Sequence, residues 1–301
     1  MAEGSSSASS SGSPQWRDPR FSPAIEAVRE ACGSPHGRED DALIGMLLDR
    51  FSWDKDRVIE VYKTSVKKRQ DLGLAEIKKD LVDNDLTLQT LPYAEAIRQV
   101  IAVNGSTSIN KPTKGSTDGA SSTVVDGKSV AYGDVIGCYE MRYGHGEPKT
   151  TDDPESVTCD QFARYMLYVT QWRWLQCEKY IHRHGELGFW SMIHDIECPA
   201  GYMSLWGRMR KLLGTYMPAV EDACGGLFPP MVQKILIINV PRIFGPAWTV
   251  ISKLLPQHHK DRIVLLTTTQ SNAAEVAKYV PAEHIPSHLG GPPPPPPTEI
   301  S

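Results

Sequence analysis

The chain has 301 residues, of which 40% are hydrophobic and 23% are charged, so it is long enough to bury one sizeable core and a small additional lobe. Its net charge of −4 argues against a general nucleic-acid-binding protein, since such proteins usually carry a basic excess. The six cysteines contain no Cys-x-x-Cys pair, and no secretory signal opens the chain. No apolar run approaches the ~18 residues of a membrane-spanning helix, so we predict a cytoplasmic protein with reduced thiols.

The first part of the chain contains one candidate folded segment between two polar ones. Residues 1–20 are rich in Ser, Gly and Pro and nearly lack aliphatic side chains, so we expect them to be disordered. Residues 22–103 carry apolar side chains at helical spacing and predict an N-terminal helical lobe. Residues 104–129 return to the Ser/Gly-rich composition and predict a flexible linker.

Strand and helix patterns alternate through residues 130–291. A predicted strand near Gly133–Arg142 precedes a long amphipathic helix over about Asp160–His184, and a second strand follows at Phe189–Ile196. This alternation is typical of an α/β domain with a mostly parallel sheet flanked by helices.

The end of this segment contains several element types in close succession. Lys234–Val240 is an Ile-rich run followed by a proline, which predicts a strand buried on both faces. Pro246–Leu255 fits a helix with proline in its first turn. A second buried strand is predicted over Arg262–Thr267, and the run closes on Ile285–Gly291.

This order of motifs resembles the end of a CRAL-TRIO lipid-binding domain, the fold of the yeast phosphatidylinositol/phosphatidylcholine transfer protein. In that family a strand ending in Asn-x-Pro, here Asn239-Val240-Pro241, leads into an aromatic-rich gate helix. A strand, a helix and a Leu-Pro-x-x-x-Gly-Gly motif then follow, and Ile285–Gly291 matches that motif here. The resemblance implies a CRAL-TRIO-like domain over residues 130–291, preceded by the helical lobe.

The resemblance further implies an internal pocket for a hydrophobic ligand, with a phospholipid expected. Alternate strand residues on one face become candidates for its wall, although plain core packing is the better interpretation without the resemblance. The candidate pocket residues are Ile235, Ile237, Val264, Leu266, Trp190 and Met192.

A movable helix is expected to cover such a pocket and to meet the membrane surface transiently. Gly245 and Pro246 provide a hinge before an amphipathic helix, and aromatic side chains there suit the headgroup region of a bilayer. The alternative is a surface helix packed on the sheet through its tryptophan. The candidate gate residues are Phe244, Gly245, Trp248, Ile251 and Leu255.

The headgroup residues match the family only in part. Arg262, at the start of the last core strand, matches a basic position that would bind a phosphate or inositol group. Pro230 stands where phosphatidylinositol-transferring members carry a Glu. A phosphoinositide is therefore one candidate ligand among several hydrophobic molecules.

We predict a lipid-transfer protein rather than an enzyme, with no cofactor and no metal site. The chain contains no nucleophile elbow, Walker-type loop or His-Glu-x-x-His motif. A hydrolase using His194, Asp195 or Cys198 is a weaker alternative, because neighbouring strand residues such as the first two face opposite sides.

The chain ends in a proline-rich tail, residues 292–301. Pro292–Pro297 predicts a polyproline II rod that could bind an SH3- or WW-type domain, or could simply be a stiff spacer. The main functional alternative is therefore an interaction scaffold in signalling, in which the same fold transfers no lipid.

Overall fold

The structure is a computed structural model that describes residues 22–33, 38–98, 100–107, 123–125, 128–130, 135–143, 157–184, 188–197, 201, 210, 212–228, 231–241, 248, 260 and 262–293. The predicted disorder over residues 1–20 and the prolines of the tail from 294 onward lie outside the described residues. No helix within the described ranges is long and apolar enough to cross a membrane.

Five helices form the N-terminal part of the structure. Asp54 begins the third of them, because its side chain accepts a hydrogen bond from the backbone N–H of Arg57 at 3.1 Å. Buried side chains from successive helices, among them Val28, Leu48 and Tyr62, share one hydrophobic core. The helices are α1 (Ser22–Cys32), α2 (Arg38–Arg50), α3 (Lys55–Asp71), α4 (Leu74–Asp83) and α5 (Ala94–Arg98).

A five-stranded sheet and its flanking helices form the rest, which confirms the predicted α/β fold class. The strand order is β1-β4-β5-β6-β7, with β1 antiparallel to β4 and every other pair parallel. A separate hairpin pairs β2 with β3. The strands are β1 (Ala102–Thr107), β2 (Thr123–Val125), β3 (Lys128–Val130), β4 (Val135–Arg142), β5 (Phe189–Asp195), β6 (Val232–Val240) and β7 (Ile263–Thr267).

The helices of this part are one long helix and several short ones. The long helix α6 (Cys159–His184) matches the predicted helix closely, and a single helical turn, α8 (Ala273–Val276), follows β7. A π-helical turn at Leu212–Tyr216 leads into α7 (Met217–Cys224). Short 3-10 turns at Ala282–His284 and Ser287–Leu289 close the described chain.

The linker prediction for residues 104–129 was wrong at both of its ends. Residues 104–107 belong to β1, in which Gly105 pairs with Tyr139, and residues 123–125 and 128–129 lie in the hairpin. An edge strand needs backbone hydrogen bonds on one side only, so it tolerates the small polar residues that indicated a linker. Residues 108–122 lie outside the described residues.

Helix α6 lies between the N-terminal helices and the sheet, and it is buried along most of its length. On one side, the hydroxyl of Tyr168 donates to Asp80 at 2.8 Å, and Glu178 pairs with Lys78. On the other side, Trp172 packs against Trp190 of β5, with ring centroids 5.5 Å apart. Several polar side chains of α6, among them Gln171, Arg173 and Gln176, are buried in this position as well.

Candidate ligand-binding face of the sheet

The two faces of the sheet follow from the strand register. Paired residues of parallel strands point to the same side, so Tyr139, Met192, Ile235 and Ile263 form one row across four strands. The next row on that side contains Met141, His194, Ile237 and Leu265. We call this side the α6 face, because the side chains of α6 contact it at Tyr139 and Met192.

The opposite side packs against the C-terminal segment, and we call it the C-terminal face. Ile193, Leu236 and Ile238 lie there in one hydrophobic cluster with side chains that follow β7. The hydroxyl of Ser191 donates to the carbonyl of Tyr279 at 3.2 Å, which ties β5 to the same segment. The members of the cluster beyond the sheet include Val276, Val280, Ile285 and Leu289.

Burial differs between the two faces along the central strands β5 and β6. On the C-terminal face Ile193, Leu236 and Ile238 are each 0% exposed. On the α6 face Met192, Ile235 and Ile237 are only half-buried. Interior strands of a parallel sheet are normally covered on both sides, so the partial exposure of these three side chains makes the α6 face the candidate ligand-binding face.

The six predicted pocket residues do not share a face, and this corrects the prediction. Ile235, Ile237 and Met192 lie on the half-buried α6 face. Val264 and Leu266 pack instead into the cluster on the C-terminal face, because Val264 pairs with Leu236. The residues of β7 on the α6 face are Ile263 and Leu265, which the sequence reasoning missed.

Trp190 lies on the α6 face but fills core volume rather than lining open space. It is 0% exposed, and its indole N–H donates to the backbone carbonyl of Arg173 at 3.3 Å. Because its ring packs against Trp172 and its indole N–H is hydrogen-bonded, Trp190 packs α6 against β5. Its place in the wall of a ligand pocket stays a prediction.

The gate and headgroup predictions are only partly within the described structure. Trp248 is helical and half-buried, whereas Phe244, Gly245, Ile251 and Leu255 lie outside the described residues. Arg262 is half-buried, and its guanidinium donates to the carbonyl of Val232 at 3.3 Å. Its headgroup role stays a prediction.

A polar group lies beside the half-buried apolar rows, and its most unusual member is Arg173 of α6. Arg173 is 9% exposed, its Nη1 lies 3.5 Å from the sulfur of Met192, and its Cζ lies 5.3 Å from the ring centroid of Tyr139. The sequence analysis assigned Arg173 no role. A charged side chain within the predicted long helix, at helical spacing from Met166 and Val169, was the available signal.

His194 is the second polar residue on the α6 face. Its Nδ1 shares a hydrogen bond with the hydroxyl of Tyr143, and the two rings stack with centroids 5.7 Å apart. Burial, assisted by the positive charge of Arg173, lowers the pKa of His194 to about 4. The imidazole is therefore uncharged near neutral pH.

The hydrolase alternative does not fit this geometry. His194 lies on the α6 face, whereas Asp195 is 0% exposed on the C-terminal face and binds Arg142 Nε at 3.1 Å and Asn239 Nδ2 at 2.8 Å. The two side chains therefore cannot act as a dyad, as their strand positions predicted. Cys198 lies outside the described residues.

Three ligand-type side chains do meet on the C-terminal face. Glu140, Asp195 and His288 offer donor atoms within 4.8 Å of one another. His288 Nε2 lies 3.1 Å from Glu140, and Arg142 contacts Asp195. The contact between His288 and Glu140 links the C-terminal turn to β4, and Arg142 and Asn239 bind Asp195 of β5.

Comparison with known proteins agrees with the fold. The CRAL/TRIO domain model matches residues 141–291, which is about half of the chain. The chain belongs to the CRAL/TRIO domain family. The solved structure of Sfh5 superposes with a TM-score of 0.55 at 14% identity, covering 91% of this chain and 85% of that one, and thus shares the fold.

The related sequences match this chain only through part of their own length. Protein real-time of Drosophila melanogaster is 25% identical over 163 residues, which cover 51% of this chain and 23% of that protein. Human tyrosine-protein phosphatase non-receptor type 9 is 36% identical over 66 residues, 22% of this chain and 10% of the phosphatase. Membership of the CRAL/TRIO family supports the binding of a lipid or other hydrophobic molecule, and the short phosphatase match does not imply an enzyme.

Proposed function

We propose that this protein holds one amphiphilic molecule, a phospholipid in the simplest case, against the α6 face and exchanges it with a membrane surface. The observation that carries the proposal is the alternating burial along β5 and β6. Aliphatic side chains in the middle of a sheet lose hydrophobic free energy unless something apolar covers them. A bound acyl chain provides that cover over Met192, Ile235 and Ile237.

Exchange with a membrane is energetically reasonable for such a pocket. Burial of an acyl chain yields about 0.8 kcal/mol per CH₂ whether the chain lies in a bilayer or in a protein. The two states are therefore close in free energy, and a movable cover controls the rate of exchange. We assign that cover to the predicted gate, residues 244–255, in a cytoplasmic protein that binds membranes peripherally.

The test is uptake and transfer of a fluorescent phospholipid between vesicles. Ile237→Trp fills the space at the centre of the α6 face and should abolish uptake without unfolding the protein. Val82→Trp is the matched control, because Val82 is 55% exposed on α4, outside the sheet. The double variant Phe244→Ala/Trp248→Ala should still bind lipid but transfer it several-fold more slowly.

Two results would contradict the proposal. Full uptake of lipid by Ile237→Trp would show that the ligand does not bind on the α6 face. Unchanged transfer by the double variant would show that residues 244–255 do not act as the gate. If the wild-type protein takes up no lipid at all, the scaffold alternative based on Pro292–Pro297 becomes the better account of the protein.

A further inference from the structure

Arg173 is a buried cation whose described contacts satisfy it poorly. Its side chain contacts the thioether of Met192 and the ring of Tyr139, and its Nε has no hydrogen-bond acceptor among the described residues. A thioether is a weak acceptor, and an aromatic ring compensates only part of the lost hydration of a guanidinium. Burial accordingly lowers the pKa of Arg173.

Two other buried charges, Glu178 and Asp195, have close charged and hydrogen-bonding partners, in contrast to Arg173. Glu178 accepts from the indole N–H of Trp174 at 2.6 Å and pairs with Lys78. Asp195 binds Arg142 and Asn239. In the described part of the chain, no carboxylate lies within ion-pair distance of Arg173, although its five N–H donors match an oxyanion well.

Arg173 lies next to the residues of the proposed pocket. Its contact Met192 is half-buried on the α6 face and lies in the same register row as Ile235 and Ile263. An amphiphile lying along that row would place its polar end at Arg173 and its chain over β6 and β7. A row of about three strands at about 4.8 Å spacing spans the length of several methylene groups.

We infer that Arg173 binds an anionic oxygen group, a carboxylate or a phosphate, at the polar end of the amphiphile held on the α6 face. This inference rests on the proposed function and specifies its ligand class. His194 is the nearby titratable side chain on the same face, and it is uncharged near neutral pH. Arg173 therefore provides the positive charge of this polar group, and a single negative charge on the ligand matches it.

The charge preference can be measured with two fluorescent ligands that differ only at the polar end, parinaric acid and its methyl ester. The wild-type protein should bind the acid about tenfold more tightly or better, since a charge-assisted hydrogen bond is lost in the ester. Arg173→Met should bind the ester as the wild type does and lose the preference for the acid. Arg173→Lys should retain part of the preference, because an ammonium keeps the charge without the planar fork.

Displacement with three non-fluorescent ligands of equal chain length separates the two anions. Palmitate carries a carboxylate, hexadecyl phosphate carries a phosphate, and hexadecanol is uncharged. Stronger displacement by either anion than by hexadecanol supports the inference and identifies which group the site prefers. Equal displacement by all three contradicts it.

The outcomes distinguish the inference from the function on which it rests. If neither parinaric acid nor its ester binds to the wild type, the proposed function fails. If both bind equally, or if Arg173→Met keeps the preference for the acid, the function stands and the role of Arg173 is wrong. A thermal midpoint of ligand-free Arg173→Met well below that of the wild type would also contradict the inference, because it would indicate a structural role.

Discussion

At the scale of single residues, the face of the sheet on which a side chain lies decides its environment. His194 and Asp195 are neighbours in β5, but they lie on opposite faces. His194 is half-buried and shares a hydrogen bond with Tyr143, whereas Asp195 is buried and accepts a hydrogen bond from Arg142. Burial and the charge of Arg173 together keep His194 uncharged. Both residues thus take part in stabilising the sheet rather than in proton transfer between them.

The depressed pKa of His194 predicts a loss of stability in acid. Its pKa is about 4 in the folded protein against 6.5 ordinarily, so between these values the unfolded chain takes up a proton that the folded protein does not. The free energy of unfolding should therefore fall as the pH drops from about 7 to about 5, with a contribution from His194 on the order of 1–2 kcal/mol. Denaturant unfolding at both pH values measures this fall.

His194→Gln should show a smaller fall over the same interval, because glutamine does not titrate. Measurement of both proteins near pH 8, where the histidine is neutral in either state, gives the intrinsic cost of the substitution. An equal fall in the two proteins would show that His194 does not cause the acid sensitivity.

At the scale of elements, β6 presents two different surfaces, one to each side of the sheet. Leu236 packs at 0% exposure into the cluster on the C-terminal face, whereas the adjacent Ile237 is half-buried on the α6 face. Both residues are large aliphatic side chains in the middle of the same strand. Leu236 and Ile237 therefore form a matched pair that differs mainly in the face of the sheet on which each side chain lies.

Truncation of these two side chains should separate stability from binding. Leu236→Ala creates a cavity in a sealed core and should lower the free energy of unfolding by about 2–5 kcal/mol. Ile237→Ala should cost clearly less in the ligand-free protein and should weaken lipid binding by more than Leu236→Ala does. Denaturant unfolding and lipid titration of both variants test this pair, and equal stability losses would indicate that the α6 face is sealed after all.

At the scale of the whole molecule, the N-terminal helices and the α/β part share contacts that are far apart in sequence. The hydroxyl of Ser65 in α3 donates to the carbonyl of Leu227 at 2.6 Å, and Lys68 donates to the carbonyl of Gly225 at 2.7 Å. Buried residues of both parts belong to one hydrophobic cluster. We therefore expect them to unfold together.

A core substitution in the N-terminal helices should destabilise the whole protein. Leu48 is 0% exposed in α2, and Leu48→Ala should lower the free energy of unfolding by about 2–5 kcal/mol. Helix content by circular dichroism and the tryptophan fluorescence of a Trp53→Phe background, which retains Trp172, Trp174 and Trp190 of the α/β part, should shift to the same new midpoint. Val82→Ala, at an exposed site, is the control, and a fluorescence midpoint that stays unchanged while helicity shifts would show that the two parts unfold separately.

Local pattern alone was enough for the central strands, the long helix and their order. The Ile-rich run of β6, the long amphipathic helix α6 and the alternation of strands with helices are each patterns within one segment, and together they predict the parallel sheet. The closing run Ile285–Gly291 was also recognisable, because its prolines and glycines specify turns locally.

Only the tertiary structure decided which side chains meet. The register between β6 and β7 placed Ile263 rather than Val264 beside Ile235, and the packing of α6 left Arg173 against Met192, with no carboxylate from the described part of the chain beside it. Register and burial arise from backbone pairing and packing between segments far apart in the chain. A hydrophobic pattern reports the period of a strand, but a shift of one residue between two strands reverses the face of every side chain while leaving that period unchanged.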